Sequence, residues 1–200
     1  MSRRSWLLAG LATPLFPAGA AETLDVKYDG DTLRIALPTL HFVSGRLLER
    51  LKDGASVAYL AQLSMLQDDR ATPIRKRQGK FVVSYALWEE KFSVTQLGPP
   101  AARTAEGLSA AAVETWCLDS LDINTLGIGP DQPFWLRFEL ATADQKDLAH
   151  ISDKPFVSLW DFVDLLSRKP KAGEPRWPPV ERHLRLSELP RSTAGRGRIG

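Results

Sequence analysis

The residue types that carry most enzyme chemistry are sparse in this chain. Its 200 residues hold three histidines, His41, His150 and His183, and one cysteine, Cys117. Zinc sites draw on histidines and cysteines spaced to meet on one helical turn or hairpin, and here no histidine lies four residues from another or beside the cysteine. A Gly-x-Ser-x-Gly nucleophile elbow is missing too, so serine hydrolysis has no local support. Asp68 and Asp69 pair two carboxylates that could exchange a proton or hold a cation. Asp144 to Asp147, followed by Asp153, could form an oxygen-rich calcium loop. Neither has the ligand spacing of a calcium hand. Gly127 to Pro130 holds too few glycines for a phosphate loop and leads toward a strand rather than a helix. Cys117 sits among Val113, Trp116, Leu118 and Leu121, the setting of a buried structural thiol. The expectation is a non-enzymatic protein with no catalytic residue, no cofactor and no metal.

Binding residues are easier to find than reacting ones. Arg75, Lys76, Arg77 and Lys80 form a basic cluster, and the C-terminal arginines, Arg196 and Arg198 among them, form a second. Clustered cations attract phosphate-rich surfaces. Nucleic acid is not expected as the partner, because no aromatic stacking platform accompanies the cluster and the leader sends the chain out of the cytoplasm. Anionic lipid head groups or an acidic envelope protein suit that destination better. Trp177, inside "PRWPP", reads as an exposed docking residue on a polyproline segment.

The leader is the opening "MSRRSWLLAGLATPLFPAGA". Arg3 and Arg4 supply the basic start, Trp6 to Phe16 the apolar stretch, and Ala18 and Ala20 the small residues before a cut ahead of Ala21. The run is too short for a membrane span, and Pro14 and Pro17 interrupt it. The arginine pair ahead of Trp6 and Leu7 suits either the general secretory route or twin-arginine export. Residues 1–20 are therefore expected as a cleaved signal peptide, and the protein as periplasmic or otherwise exported. No transmembrane span is expected after cleavage.

The remainder has the length of one domain, residues 21–168, followed by a tail, 169–200. Without the leader the chain carries 24 basic and 24 acidic residues. Nine basic and three acidic residues fall within 168–200, so an acidic body carries a basic end rich in proline, glycine and arginine. That composition predicts a mostly disordered tail, with "HLRLSEL" able to add one edge strand.

Alternating apolar residues on both sides of Asp29-Gly30 predict a hairpin. "SGRLLERLKDG" predicts a short helix capped by Ser44 and ended at Gly54. Strands are expected around Val57 to Met65 and Phe81 to Leu87, with a long exposed loop over 67–80 between them. Glu89 and Glu90 either turn the chain or continue one long strand. "GPPAARTAEG" breaks the pattern, "SAAAVETWCLDSL" predicts a helix, "PFWLRFEL" a strand, and "PFVSLWDFVDLLSR" a final amphipathic helix.

The stretch "FVVSYALWEEKFSVTQLG" resembles the uncharacterised bacterial domain-of-unknown-function family 4390. The surrounding order is similar as well: an early hairpin, "GRLLERLKDGASVAYLAQLSML", an alanine-rich helix, "FWLRFEL", and "SLWDF". The likeness covers most of residues 23–168. It departs where an Arg followed by Trp and Tyr would stand in the second long strand, since "DDRATPIRKRQGKF" has no aromatic before Phe81. The resemblance implies an exported envelope protein of β-rich fold, and offers no active site.

The fold class expected is α+β: a β-rich antiparallel sheet or open sandwich with two or three flanking helices. The function expected is a binding or interaction module of the cell envelope. The alternative is a periplasmic carrier of an apolar or lipid-like ligand, with Tyr59, Phe81, Tyr85, Trp88, Phe92, Trp135 and Phe138 lining its cavity. A cavity of several hundred Å³ would favour the carrier; a filled core with exposed apolar residues would favour the binding module.

Overall fold

The structure is a computed structural model that describes residues 23–98, 102–143, 175 and 177–190. The leader, the helix expected over 155–168, His150, the possible calcium loop beyond Ala143, and Arg196 and Arg198 lie outside the described residues.

The first hairpin forms as expected. Strands β1 (Asp25–Asp29) and β2 (Thr32–Ala36) pair antiparallel with Val26 opposite Ile35. Gly30 takes φ +59, the left-handed conformation that glycine adopts without a Cβ penalty. Helix α1 (Gly45–Lys52) turns Leu47 and Leu51 inward and keeps Arg46, Glu49, Arg50 and Lys52 outside the core. Ser44 occupies the expected cap position, but its hydroxyl donates back to the His41 carbonyl at 2.7 Å instead of accepting from the helix.

Strand β3 (Val57–Leu66) is the anchor of the fold. It is buried along its whole length and is a central strand, paired with β4 (Pro73–Ala86) on one side and β8 (Phe134–Ala143) on the other. A strand so enclosed reads as a nearly continuous apolar run, as "VAYLAQLSML" does. The loop expected over 67–80 is a correction: the turn ends at Thr72, and Pro73 to Lys80 continue β4. Arg75, Arg77 and Lys80 are held opposite Met65, Leu63 and Leu60 by the ladder. Cross-strand pairing with β3 outweighs the low strand propensity of lysine and arginine.

Glu89 and Glu90 turn the chain into β5 (Lys91–Leu97), and β6 (Arg103–Leu108) follows as an edge strand where only a break was expected. Helix α2 (Ala110–Asp119) starts at Ser109, whose hydroxyl accepts from the Ala112 amide at 3.2 Å. The short β7 (Ile123–Asn124) joins β2.

Over its described part the expected disordered tail is corrected, while the edge strand allowed at "HLRLSEL" forms but starts three residues earlier. Residues 180–184 form β9 (Val180–Leu184), paired with β8, and a 3-10 turn (Leu186–Glu188) follows. Val180, Leu184, Leu186 and Leu189 enter the core, giving this segment apolar area that its average composition conceals.

Among the described residues all pairings are antiparallel. One sheet runs β1-β2-β7 and the other β6-β5-β4-β3-β8-β9. The two sheets and both helices share one core centred on Phe42, Tyr59, Phe81, Phe134 and Phe138. Among the described residues the architecture is thus α+β, with two helices flanking antiparallel sheets.

Candidate interaction surface

The β4–β5 hairpin outruns the sheet that carries it. Pairing between β3 and β4 ends at Val57 opposite Val83, yet β4 continues through Ser84, Tyr85 and Ala86, opposite Ser93, Phe92 and Lys91 of β5. Three further residues at about 3.4 Å each carry it roughly 10 Å past β3, while on its other side Leu108 of β6 still pairs with Phe92. Only the Ala86–Lys91 pair and the turn beyond it stand as a two-stranded ribbon, a weak unit in water. This one is stiffened at its root by Tyr85 against Phe92, rings 4.8 Å apart, with Phe92 itself buried in the core.

The turn carries what a folded protein ordinarily hides. Trp88 is 99% exposed and Leu87 is 59% exposed. A tryptophan can bury about 150–250 Å² on contact, so this side chain offers docking area that the fold leaves unused. Glu90 adopts φ +51, a left-handed conformation that costs a residue with a Cβ about 1–2 kcal/mol. Glu89, Glu90 and Lys91 are exposed around the apolar pair, giving the tip one net negative charge.

The basic residues singled out from the sequence do not form one surface. Strand pleating turns Arg75 and Arg77 to one face and Lys76 to the other. Arg75 bonds the carbonyls of Ile74 and Leu126, at 3.0 and 3.5 Å, and Arg77 pairs with Asp122 at 3.7 Å. Lys80 is buried, only 8% exposed, between β3 and β5, which removes it as a contact residue. Trp177 is corrected as well. It is half-buried against the core, 6.4 Å from the Phe42 ring and 6.3 Å from Tyr59, and so anchors the returning chain instead of docking a partner.

The titratable groups that do meet are structural in their geometry. Glu114 on α2 is buried; its Oε1 accepts from the Val43 amide at 2.7 Å, and its Oε2 lies 3.2 Å from His41 Nδ1. Tyr59 donates to the Phe42 carbonyl at 3.2 Å. Burial, then Cys117 and Glu114 nearby, push the Tyr59 hydroxyl well above the usual tyrosine range. Burial, then Glu114, likewise push up the Cys117 thiol, a poor state for a nucleophile. Asp69 closes the β3–β4 turn: bonds from the Thr72 amide and hydroxyl and the Ala71 amide hold its carboxyl below the ordinary range. Its neighbour Asp68 lies 2.9 Å from His183 Nε2. Among the described residues no three His, Cys, Asp or Glu side chains gather as a metal site.

The aromatics considered as a cavity lining divide in two. Tyr59, Phe81 and Phe138 are packed in the core, while Trp88 stands in solvent. Sequence reading missed the tip because "SYALWEEK" looks like a strand end. The available signal was that Phe81, Val83, Tyr85 and Leu87 share one face, leaving Trp88 on the other, next to two glutamates.

Compared with protein-family models, curated proteins and solved structures, the chain matches none. No helix among the described residues is long and apolar enough to cross a membrane.

Proposed function

We propose that this protein is a non-enzymatic binding module of the bacterial cell envelope, exported by its leader, that docks a protein partner through the tip of the β4–β5 hairpin. The observation that carries the reading is Trp88, 99% exposed on a ribbon stiffened from below by Tyr85 and Phe92. Aromatic residues on rigid supports are the usual anchors of protein interfaces. The two glutamates beside it disfavour an anionic lipid surface and suit a partner pocket with a cationic rim. The likeness to family 4390 in "FVVSYALWEEKFSVTQLG" falls on this same hairpin and belongs to the proposal. A carrier of apolar ligands is supported less well, since Tyr59, Phe81 and Phe138 fill the core instead of lining a void.

The test is a photo-crosslinking residue at position 88, with the exposed Glu106 of β6 as the control position, expressed in the cells that make the protein. A discrete adduct from 88 and none from 106 is expected. Equal labelling from both positions, or no adduct from 88, would remove the hairpin as a docking site.

A further inference from the structure

A second recessed surface flanks α2. The helix leaves from the root of the projecting hairpin, since Leu108, two residues before it, pairs with Phe92. Between α2 and the end of β2 lies a cleft of about 250 Å³. Ile35, Leu37, Leu40 and Leu118 give it apolar walls; its charged side chains are the carboxylates of Glu114 and Asp119, with His41 at the rim. Among the described residues no lysine or arginine lines it. A carboxylate at the edge of an apolar cleft selects a cation on an apolar stem.

We infer that this cleft receives a lysine side chain of the docked protein partner. Three observations narrow the occupant. The volume falls below the roughly 300–1,000 Å³ of small-molecule pockets, which suits one long side chain better than a whole ligand. Glu114 Oε1 is engaged by the Val43 amide, so only Oε2 faces a newcomer, and the two-pronged pairing that arginine prefers is not on offer at this carboxylate. The present neighbour of Oε2 is His41, whose side chain is 66% exposed and can swing outward. A lysine would lay its four methylenes along the leucines and set its ammonium on Oε2.

The inference rests on the partner-binding reading, and its test does not need the partner. The full chain is titrated with Nα-acetyl-lysine-N-methylamide, followed by amide chemical shifts, with the arginine and norleucine analogues alongside. Saturable shifts at Ala111, Thr115 and His41 are expected from the lysine analogue, with binding about ten-fold weaker for the other two. Glu114→Gln should abolish the response while its carbonyl still holds the Val43 amide. Ala111→Phe, at an exposed position of the cleft wall, should block entry without touching that clamp.

Equal binding of the norleucine analogue would reduce the site to an apolar dent and overturn the inference. So would lysine binding that survives Ala111→Phe, or no response at all. None of these results bears on the crosslink at position 88, whose own failure would remove the partner-binding reading whatever the titration gives.

Discussion

Trp177 meets Phe42 edge-on, ring centroids 6.4 Å apart at 81°, and lies 6.3 Å from Tyr59. That contact joins the end of the chain to the loop before α1, more than 130 positions away in sequence. It sets Val180 and Leu184 of β9 on course for the sheet edge, where Arg182 also donates to the Leu24 carbonyl at 2.8 Å. Trp177→Ala should therefore destabilise the whole domain, by about 2 kcal/mol given that the ring is only half-buried. Urea unfolding would show a lower midpoint with an unchanged slope. A midpoint equal to the parent's would mean that residue 177 is a spacer after all.

Gly79 offers a sharper steric test. It sits in the middle of β4, where glycine normally weakens a strand, and the Phe81 ring lies directly over it. A Cβ at 79 would collide with Phe81 Cζ and approach Leu121 Cδ2 to 3.0 Å. Phe81 is fully buried and cannot rotate away, so Gly79→Ala should cost about 1–3 kcal/mol despite its better strand propensity. Thermal unfolding would register the loss. A neutral result would place the Phe81 ring elsewhere.

The strands and helices that bury one face were legible, because periodicity is written by burial: Val57 to Met65 alternates toward the core, and Leu47 and Leu51 fall one helical turn apart. Three things were not legible. The strand through Arg75 to Lys80 forms by pairing with β3, a partner that no local window contains. Val180 and Trp177 look like isolated apolar residues in a polar tail until the fold supplies their neighbours. The exposed tip was hidden for the opposite reason: composition gives Trp88 to the core, and only its position past the end of the pairing with β3 leaves it in water.

Raising the pH should loosen the core from within. Tyr59 and Cys117 both have hydroxyl or thiol pKa values raised in the folded state, mainly by burial, above ordinary values of 10.0 and 9.0. The folded state then holds protons that the unfolded chain releases above those ordinary values. Stability from these two groups is complete below about pH 9 and falls steadily as the pH rises beyond it. Melting temperatures across pH 7–11 should bend downward near pH 9, and Tyr59→Phe with Cys117→Ala should flatten the bend. A profile just as steep in the double variant would trace the alkaline loss to other groups.

Glu114 should separate a hydrogen bond from a charge. Its Oε1 satisfies the buried Val43 amide that positions the start of α1. Glu114→Ala leaves that donor without a partner and should cost about 1–3 kcal/mol, whereas Glu114→Gln keeps an acceptor in place and should cost much less. Similar losses in both variants, read from denaturant midpoints, would mean that the carboxylate charge matters more than the amide it caps.

The hairpin tip should behave in the opposite sense to every site above. Trp88 is 99% exposed, so Trp88→Ala removes no buried area and should leave stability within about 0.5 kcal/mol of the parent. Glu90 holds φ +51, where a side chain is strained, so Glu90→Gly should raise stability by up to about 1 kcal/mol. Tyr85→Ala, by contrast, strips the stack on Phe92 and should soften the ribbon, seen as faster amide exchange at Ser84, Ala86 and Ser93. Marked destabilisation by Trp88→Ala would instead make that tryptophan a packing residue and leave the hairpin without a docking role.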